Sequence, residues 1–395
     1  MGRSAFLVAF AGFLLIVQVS LSQHEAAYSY RRNFITWDDL KVDWQKAWLD
    51  TRESVNRTRL IIVDKNGGGH SSTVQGAVDL VPEYNSERVK IYILPGVYRE
   101  KVTVPQNKPY ISFIGHEQRA SETVISWHNK ASDKDSNGIE LGTYKSASVS
   151  VFADFFCATG ITFANTVVAV PGGIGMQAVA LRLAGDKAML YKVKVLGTQD
   201  TLLDDTGSHY FYQCHIQGSI DFIFGRARSL YQVFSFSFLF FFFQSVYAKN
   251  WKLCLRFLVL GSNLHVKQDC VLQSIAEKSG AIAAHHRDIP DDSSGFSFVN
   301  CVINGTGKIY LGRAWGNYSR IIYSYSYLED IIYPTGWSDW NMPYRDRTVV
   351  FGEYQCSGKG ADRSHRSPWL KSLSYEEVQP FLNVTFIDGK EWLRL

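Results

Sequence analysis

Two aspartates, Asp200 and Asp221, each stand three residues after a glycine in a phrase that the chain repeats. Tyr191-Lys192-Val193-Lys194-Val195-Leu196-Gly197 leads to the first, and Tyr212-Gln213-Cys214-His215-Ile216-Gln217-Gly218 leads to the second, at an offset of 21 residues. A lone aspartate after a glycine ordinarily caps a turn. Two carboxylates side by side do something else: like charges push their acidities apart, so one ionises while the other keeps a proton, the division of labour that acid-assisted nucleophilic attack requires. Gln177 and Gln199 are offset by 22 residues, which could bring two amides beside the acids; a glutamine ladder inside a repeat is the alternative for that pair.

The elements that must position these residues follow from the offset. About 21 residues is too short for a strand-helix-strand unit but suits one coil of a parallel β-solenoid, whose stacked strands lie roughly 4.8 Å apart. The repeat continues: Val299-Asn300-Cys301-Val302-Ile303-Asn304-Gly305 matches the second phrase, and residues 156–163 are a looser relative. Short β-rich runs at 88–94, 110–114, 149–152, 178–183, 296–302, 309–311 and 321–325 alternate with Gly, Asn and Asp turns, which predicts one elongated all-β domain. A helix beginning at Ser71 or Ser72 is expected to cover one end of the solenoid, and Ser374-Tyr375-Glu376-Glu377-Val378 reads as a capped helix start near the other.

A chain of 395 residues can hold one large solenoid as readily as two compact domains, and 46% hydrophobic content is ample for a core. A net charge of +4 permits attraction to an acidic polysaccharide, whereas no dense Lys/Arg block points to nucleic acid. Met1-Gly2-Arg3, an apolar run from Ala5 to Val19 and a small polar stretch to Ser22 read as a secretory leader of residues 1–22, too short for a membrane span. Sequons beginning at Asn56, Asn304, Asn317 and Asn383 fit passage through that route. An oxidising compartment permits disulfides, with Cys270 and Cys301 the favoured pair; free cysteines buried in the coils are the alternative. No cysteine spacing suits structural zinc.

The ordered motifs carry a family resemblance. Gly96-Val97-Tyr98-Arg99-Glu100, Gly142-Thr143-Tyr144-Lys145-Ser146-Ala147, Gln177-Ala178-Val179-Ala180-Leu181-Arg182, Gly197-Thr198-Gln199-Asp200-Thr201-Leu202, Asp221-Phe222-Ile223-Phe224-Gly225 and Leu311-Gly312-Arg313-Ala314-Trp315 resemble those of plant pectin methylesterases, in the same order, from about residue 60 to residue 392. The resemblance implies a right-handed parallel β-helix over residues 59–395, after an extension at 23–58, and hydrolysis of galacturonate methyl esters in pectin. It assigns Asp221 as nucleophile, Asp200 as acid and then base, Gln177 and Gln199 as oxyanion donors, and Arg313 as the partner that holds the nucleophile. Tyr144, Trp315 and Trp337 are expected to give faces to sugar rings. His285-His286-Arg287 reads as a polar surface segment near the groove, in reach of uronate carboxylates. The expected partner is methyl-esterified homogalacturonan, met by a secreted monomer in the cell wall, with a proteinaceous inhibitor as a further partner; the mechanism requires no cofactor or metal. Two other readings stay open: a β-helix enzyme that cleaves pectin chains, and a wall-binding protein that has lost activity.

The last of these follows from one departure from the family pattern. Residues 233–268, 36 in all, begin Val233-Phe234-Ser235-Phe236-Ser237-Phe238-Leu239-Phe240-Phe241-Phe242-Phe243 and hold 8 of the chain's 25 phenylalanines. Joining Gln232 directly to Asp269-Cys270 restores the family's continuation. A valine codon begins GT, one glutamine codon ends AG, and a T-rich tract translates as phenylalanine, so the segment reads as an unspliced intron. Lys249, Lys252 and Arg256 argue against a membrane span there.

Overall fold

The structure is a computed structural model, which describes residues 34–43, 60–170, 172–233 and 270–395. The leader 1–22, most of the extension 23–58, nearly all of 233–268, Cys254 and the sequon at Asn56 lie outside the described residues.

The chain winds as a right-handed parallel β-helix. Strands such as Leu60–Val63 and Val89–Ile93 alternate buried and partly buried residues, so each coil turns one row of branched apolar side chains inward. One sheet of 10 strands runs in coil order from Leu60–Val63 to Val350–Tyr354. A sheet of 14 strands forms the other two faces, which merge where the long strands Cys270–His285 and Cys301–Ala314 pass continuously from one face to the next. All named strand pairings are parallel. The 21-residue period is the coil itself: Tyr191 pairs with Tyr212, Lys194 with His215, and Leu181 with Leu202.

Inside, Phe211, Tyr231, Phe298 and Tyr323 stack with successive ring centroids 4.4, 4.7 and 4.5 Å apart, close to the spacing of their strands. The end helix is Val74–Leu80, capped by Thr73, so it begins later than Ser71 or Ser72; Ser71 instead bonds the backbone of Thr73. The Glu100 carboxylate accepts the N–H groups of Val74 and Gln75, which satisfies donors the helix cannot pair itself. Ser374 and Glu377 form the expected capping box before Tyr375–Val378. Phe386, Ile387 and Trp392 pack with Met189, Tyr210 and Leu230, which covers the 10-stranded sheet with the C-terminal segment.

The favoured disulfide is absent. Cys270 and Cys301 pair in register on neighbouring strands and both are buried free thiols. The ladder stacks the two thiols on neighbouring strands, unjoined. Cys157, Cys214 and Cys356 are free as well.

The register also measures the Phe-rich segment. Tyr212 pairs with Gln232 and His215 with Val271. The first members of those pairs are three residues apart and the second members 39, a surplus of 36. In the neighbouring coils the same corner is turned by single left-handed residues, Lys192 (φ 52°), Gln213 (φ 55°) and Asn300 (φ 55°).

Candidate active site

The two aspartates occupy equivalent places on adjacent coils. Leu202 pairs with Ile223, and the Asp200 N–H donates to the Ile220 carbonyl at 3.0 Å, which sets Asp200 beside Asp221. Both are left-handed, with φ of 59° and 45°. Aspartate tolerates that region better than most residues, and the turn breaks the in-out alternation of the strand. The preceding glycine is required for close approach: a β-carbon on Gly218 would lie 2.1 Å from that of Phe222.

Arg313 reaches Asp221 from two coils on, past the strand that ends at His285. Its Nε donates to Oδ1 at 2.8 Å and its Nη2 donates to Oδ2. This fork-to-fork pairing fixes the carboxylate plane of a residue that is only 7% exposed. Burial works against the Arg313 cation, but the hydrogen bond to Asp221 and that residue's charge outweigh it and raise its pKa above the ordinary arginine value. Asp200 is a half-buried residue with an enclosed carboxyl; burial, then the charge of Asp221, hold its pKa well above the usual carboxylate range, against weaker pulls from Arg313 and Gln199. The pair therefore divides into a clamped carboxylate and a proton-holding acid.

Gln199 adjoins Asp200, and its carbonyl accepts the Ala178 N–H at 3.0 Å, so Gln177 lies on the adjacent coil one position out of strict register. Both glutamines are half-buried at the surface beside the acids rather than in an interior ladder.

An apolar wall runs across the coils through Ala147, Val179, Leu203, Phe224 and Ala284, with Tyr144, Trp315 and Trp340 packed on it. Tyr144 and Trp315 are partly buried against this wall. Trp337 does not join it. It is buried, stacks on Phe351 at 4.6 Å and donates its indole N–H to Glu353, which Arg366 also holds. Strand alternation explains the exchange: Trp337 pairs with Gly312 and points inward, where a β-carbon on Gly312 would meet its ring at 2.9 Å. Trp340, three residues on, is the groove aromatic, with the Arg313 guanidinium 3.9 Å from its ring centre.

The reading of residues 285–287 as a polar surface segment also needs correction. His285 is fully buried, its imidazole pushed down to about 3 by burial, and it accepts the Arg320 N–H at 3.2 Å. Arg287 is buried too and donates to the carbonyls of Asp292 and Tyr318. Only His286 faces the groove, edge-on to Trp315 at 4.7 Å. Residues 283 to 285 are the end of a strand, and alternation separates neighbours that the sequence shows as one run.

Comparison with known proteins agrees with the geometry. A family model described as pectinesterase matches residues 60–238 and 256–390. Pectinesterase QRT1 of Arabidopsis thaliana is 52% identical over 99% of this chain and 98% of its own. Probable pectinesterase 8 of the same plant is 41% identical over 88% of this chain and 78% of its own. Among solved structures, the pectin methylesterase from carrot covers 86% of this chain and 96% of its own at 30% identity, with a TM-score of 0.70. That from Aspergillus niger, in deglycosylated form, covers 86% and 98% at 26% identity, with a TM-score of 0.65.

Proposed function

From the premise that the chain belongs to the pectinesterase family, we propose that it hydrolyses methyl esters of galacturonate in pectin with Asp221 as nucleophile and Asp200 as acid and base. The observation that carries this reading is the unequal pair: one carboxylate clamped by Arg313, the other enclosed beside it with its pKa raised by burial and by the first.

Asp221 attacks the ester carbonyl carbon, and the carbonyl π electrons move onto oxygen. Amide N–H groups of Gln177 and Gln199 stabilise that oxyanion. As the tetrahedral centre collapses, the C–O bond to methoxide breaks and the Asp200 proton passes to it, releasing methanol. The acyl-enzyme is an anhydride between Asp221 and the uronate. Asp200, now ionised, takes a proton from water whose oxygen attacks the acyl carbon; the anhydride C–O bond to Asp221 breaks with its electron pair going to the Asp221 carboxylate, which frees the uronic acid and returns both acids to their starting states. Tyr144, Trp315 and Trp340 offer faces to the sugar rings.

The leader-like residues 1–22 support a secreted enzyme acting in the cell wall; a monomeric state and a proteinaceous inhibitor belong to the same proposal. Methylated pectin incubated with the protein should yield methanol while the polymer keeps its length. Shortened chains without methanol would instead identify a chain-cleaving β-helix enzyme, and binding without either product a wall-binding protein.

A further inference from the structure

Behind the groove wall, the core holds a polar network that the proposed chemistry does not use. Asp204, His209 and Tyr231 are all fully buried. The Asp204 carboxylate meets His209 Nδ1 through Oδ1 at 2.5 Å and accepts the Tyr231 hydroxyl through Oδ2 at 2.6 Å. On the other side of the ring, His209 Nε2 donates to the Gly185 carbonyl at 2.8 Å. A carbonyl can only accept, so Nε2 carries a hydrogen. Burial lowers the His209 pKa, but the charge of Asp204, the bonds to Asp204 and Gly185, and the charge of Asp186 together raise it, so Nδ1 keeps its proton too. An imidazolium and a carboxylate thus neutralise each other in the core, with every polar atom of the three side chains in a hydrogen bond.

The network holds the far ends of the strands that begin at the site. Leu181–Leu183, Leu202–Asp204 and Ile223–Gly225 are parallel neighbours, and they follow Gln177, Asp200 and Asp221 in turn. At the near end, the Leu202 N–H donates to the Phe222 carbonyl at 2.9 Å, immediately after both acids. At the far end, His209 ties Gly185, just past the first strand, to Asp204, the last residue of the second. The third strand closes on the same point: a β-carbon on Gly225 would lie 1.8 Å from the Asp204 carbonyl oxygen, which accepts the Ala227 N–H at 3.2 Å. Tyr231 reaches back from Arg228–Gln232 in the following coil, its ring stacked between Phe211 and Phe298. The three strands are therefore held from inside the core as well as by their ladder.

We propose that His209 is a positioning residue which, through Asp204 and with Tyr231, fixes the spacing of the strands behind Asp200 and Asp221, and so the separation at which the two acids divide their work. This inference rests on the pectinesterase reading above. A buried pair suits the task, because removing one partner leaves the other uncompensated in the core and forces the strands to adjust. The consequence is felt at Asp200. Burial, then the charge of Asp221, raise its pKa against Arg313 and Gln199. A looser spacing admits water and weakens the push from Asp221, so that pKa falls. Asp200 must hold its proton for methanol to leave, so the alkaline limb of kcat/KM moves to lower pH.

The test compares the full-length protein with Tyr231→Phe, which deletes one hydroxyl and keeps the ring, and with His209→Gln, which puts an uncharged amide in place of the imidazolium. Methanol release from methylated pectin gives kcat and KM as functions of pH, and thermal unfolding gives Tm under the same conditions. The expected result is a fall in kcat of about threefold in Tyr231→Phe and about tenfold in His209→Gln, with KM changed by less than about twofold. In both variants the alkaline limb should lie at lower pH than in the parent. An unchanged kcat and an unmoved limb, with only Tm lowered, overturn the proposal and make the network a brace for the fold alone. A loss confined to KM overturns it as well, because the network would then shape the groove rather than the acids. Should His209→Gln fail to fold, Tyr231→Phe decides by the same criteria. If the parent protein releases no methanol at any pH, the pectinesterase reading itself has failed, and this inference with it.

Discussion

Arg313 donates to both carboxylate oxygens of Asp221 but acts on Asp200, one coil away, only as a charge through space. The asymmetry supports the proposed roles, because a single cation shared equally would leave the two acids alike. Arg313→Lys keeps the charge and loses the fork, so kcat for methanol release should fall roughly 100-fold with a smaller change in KM. A loss below about fivefold would mean that charge alone, without the fixed carboxylate plane, suffices.

The two acids should fail at different steps. Asp221→Asn removes the ionised nucleophile, so no acyl-enzyme should form and turnover should vanish. Asp200→Asn keeps the nucleophile but loses proton transfer to methanol and activation of water, a drop of roughly 100-fold or more. Rapid-quench methanol measurement and intact-mass detection of the acyl-enzyme distinguish the steps. Near-normal turnover in Asp221→Asn would reject the mechanism.

Asp200 also makes stability depend on pH with a defined sign. Its folded pKa is raised, by burial first and by Asp221 second, so the folded state binds this proton more tightly than the unfolded chain. The resulting stability is full below the unfolded value of about 3.9 and is lost as pH rises through the folded value. Asp200→Asn should therefore raise Tm by a few degrees at pH 7 to 8, and the gain should disappear near pH 3. Thermal unfolding of both proteins across that range checks it; a Tm gain equal at all pH values would assign the effect to packing.

The period of 21 residues made the coil legible, and with it the adjacency of Asp200 and Asp221, because identical phrases must stack when the repeat is the coil. Facing was less legible. Trp337 and Trp340 are both tryptophans beside a motif, and only the pairing of Trp337 with Gly312 shows that the first turns inward. The same holds for His285 and His286, adjacent in sequence and on opposite sides of the sheet wall. Asp204 and Tyr231 sit in different coils, so nothing in the linear chain joins them; Phe224 stood inside a recognised motif, but its place on the groove wall needed the register. The cysteine pair was placed correctly on neighbouring strands, but both thiols are free.

The two tryptophans give opposite signatures. Trp337→Ala should remove a buried ring and its bond to Glu353, costing about 3–5 kcal/mol of stability and lowering Tm sharply. Trp340→Ala should leave Tm nearly unchanged while weakening catalysis, because it deletes the surface on which the Arg313 guanidinium lies. Thermal unfolding and methanol kinetics on the two variants test the assignment, and reversed signatures would restore Trp337 to the groove.

The surplus of 36 residues between Gln232 and Val271 matches the length of residues 233–268. Removing them leaves Asp269 alone at the corner that Gln213 turns in the preceding coil and Asn300 in the following one, both left-handed. Aspartate accepts that conformation, as Asp200 and Asp221 do in this chain, so the shortened coil should close without strain. A long loop costs little in closure entropy, but a run holding 8 phenylalanines favours aggregation while the chain folds. The shortened protein should give a higher soluble yield and higher methanol-releasing activity than the 395-residue chain. Equal yield and activity from the two would show the segment to be harmless in the folded protein, and abundant transcripts retaining its 36 codons would sink the reading of it as an unspliced intron.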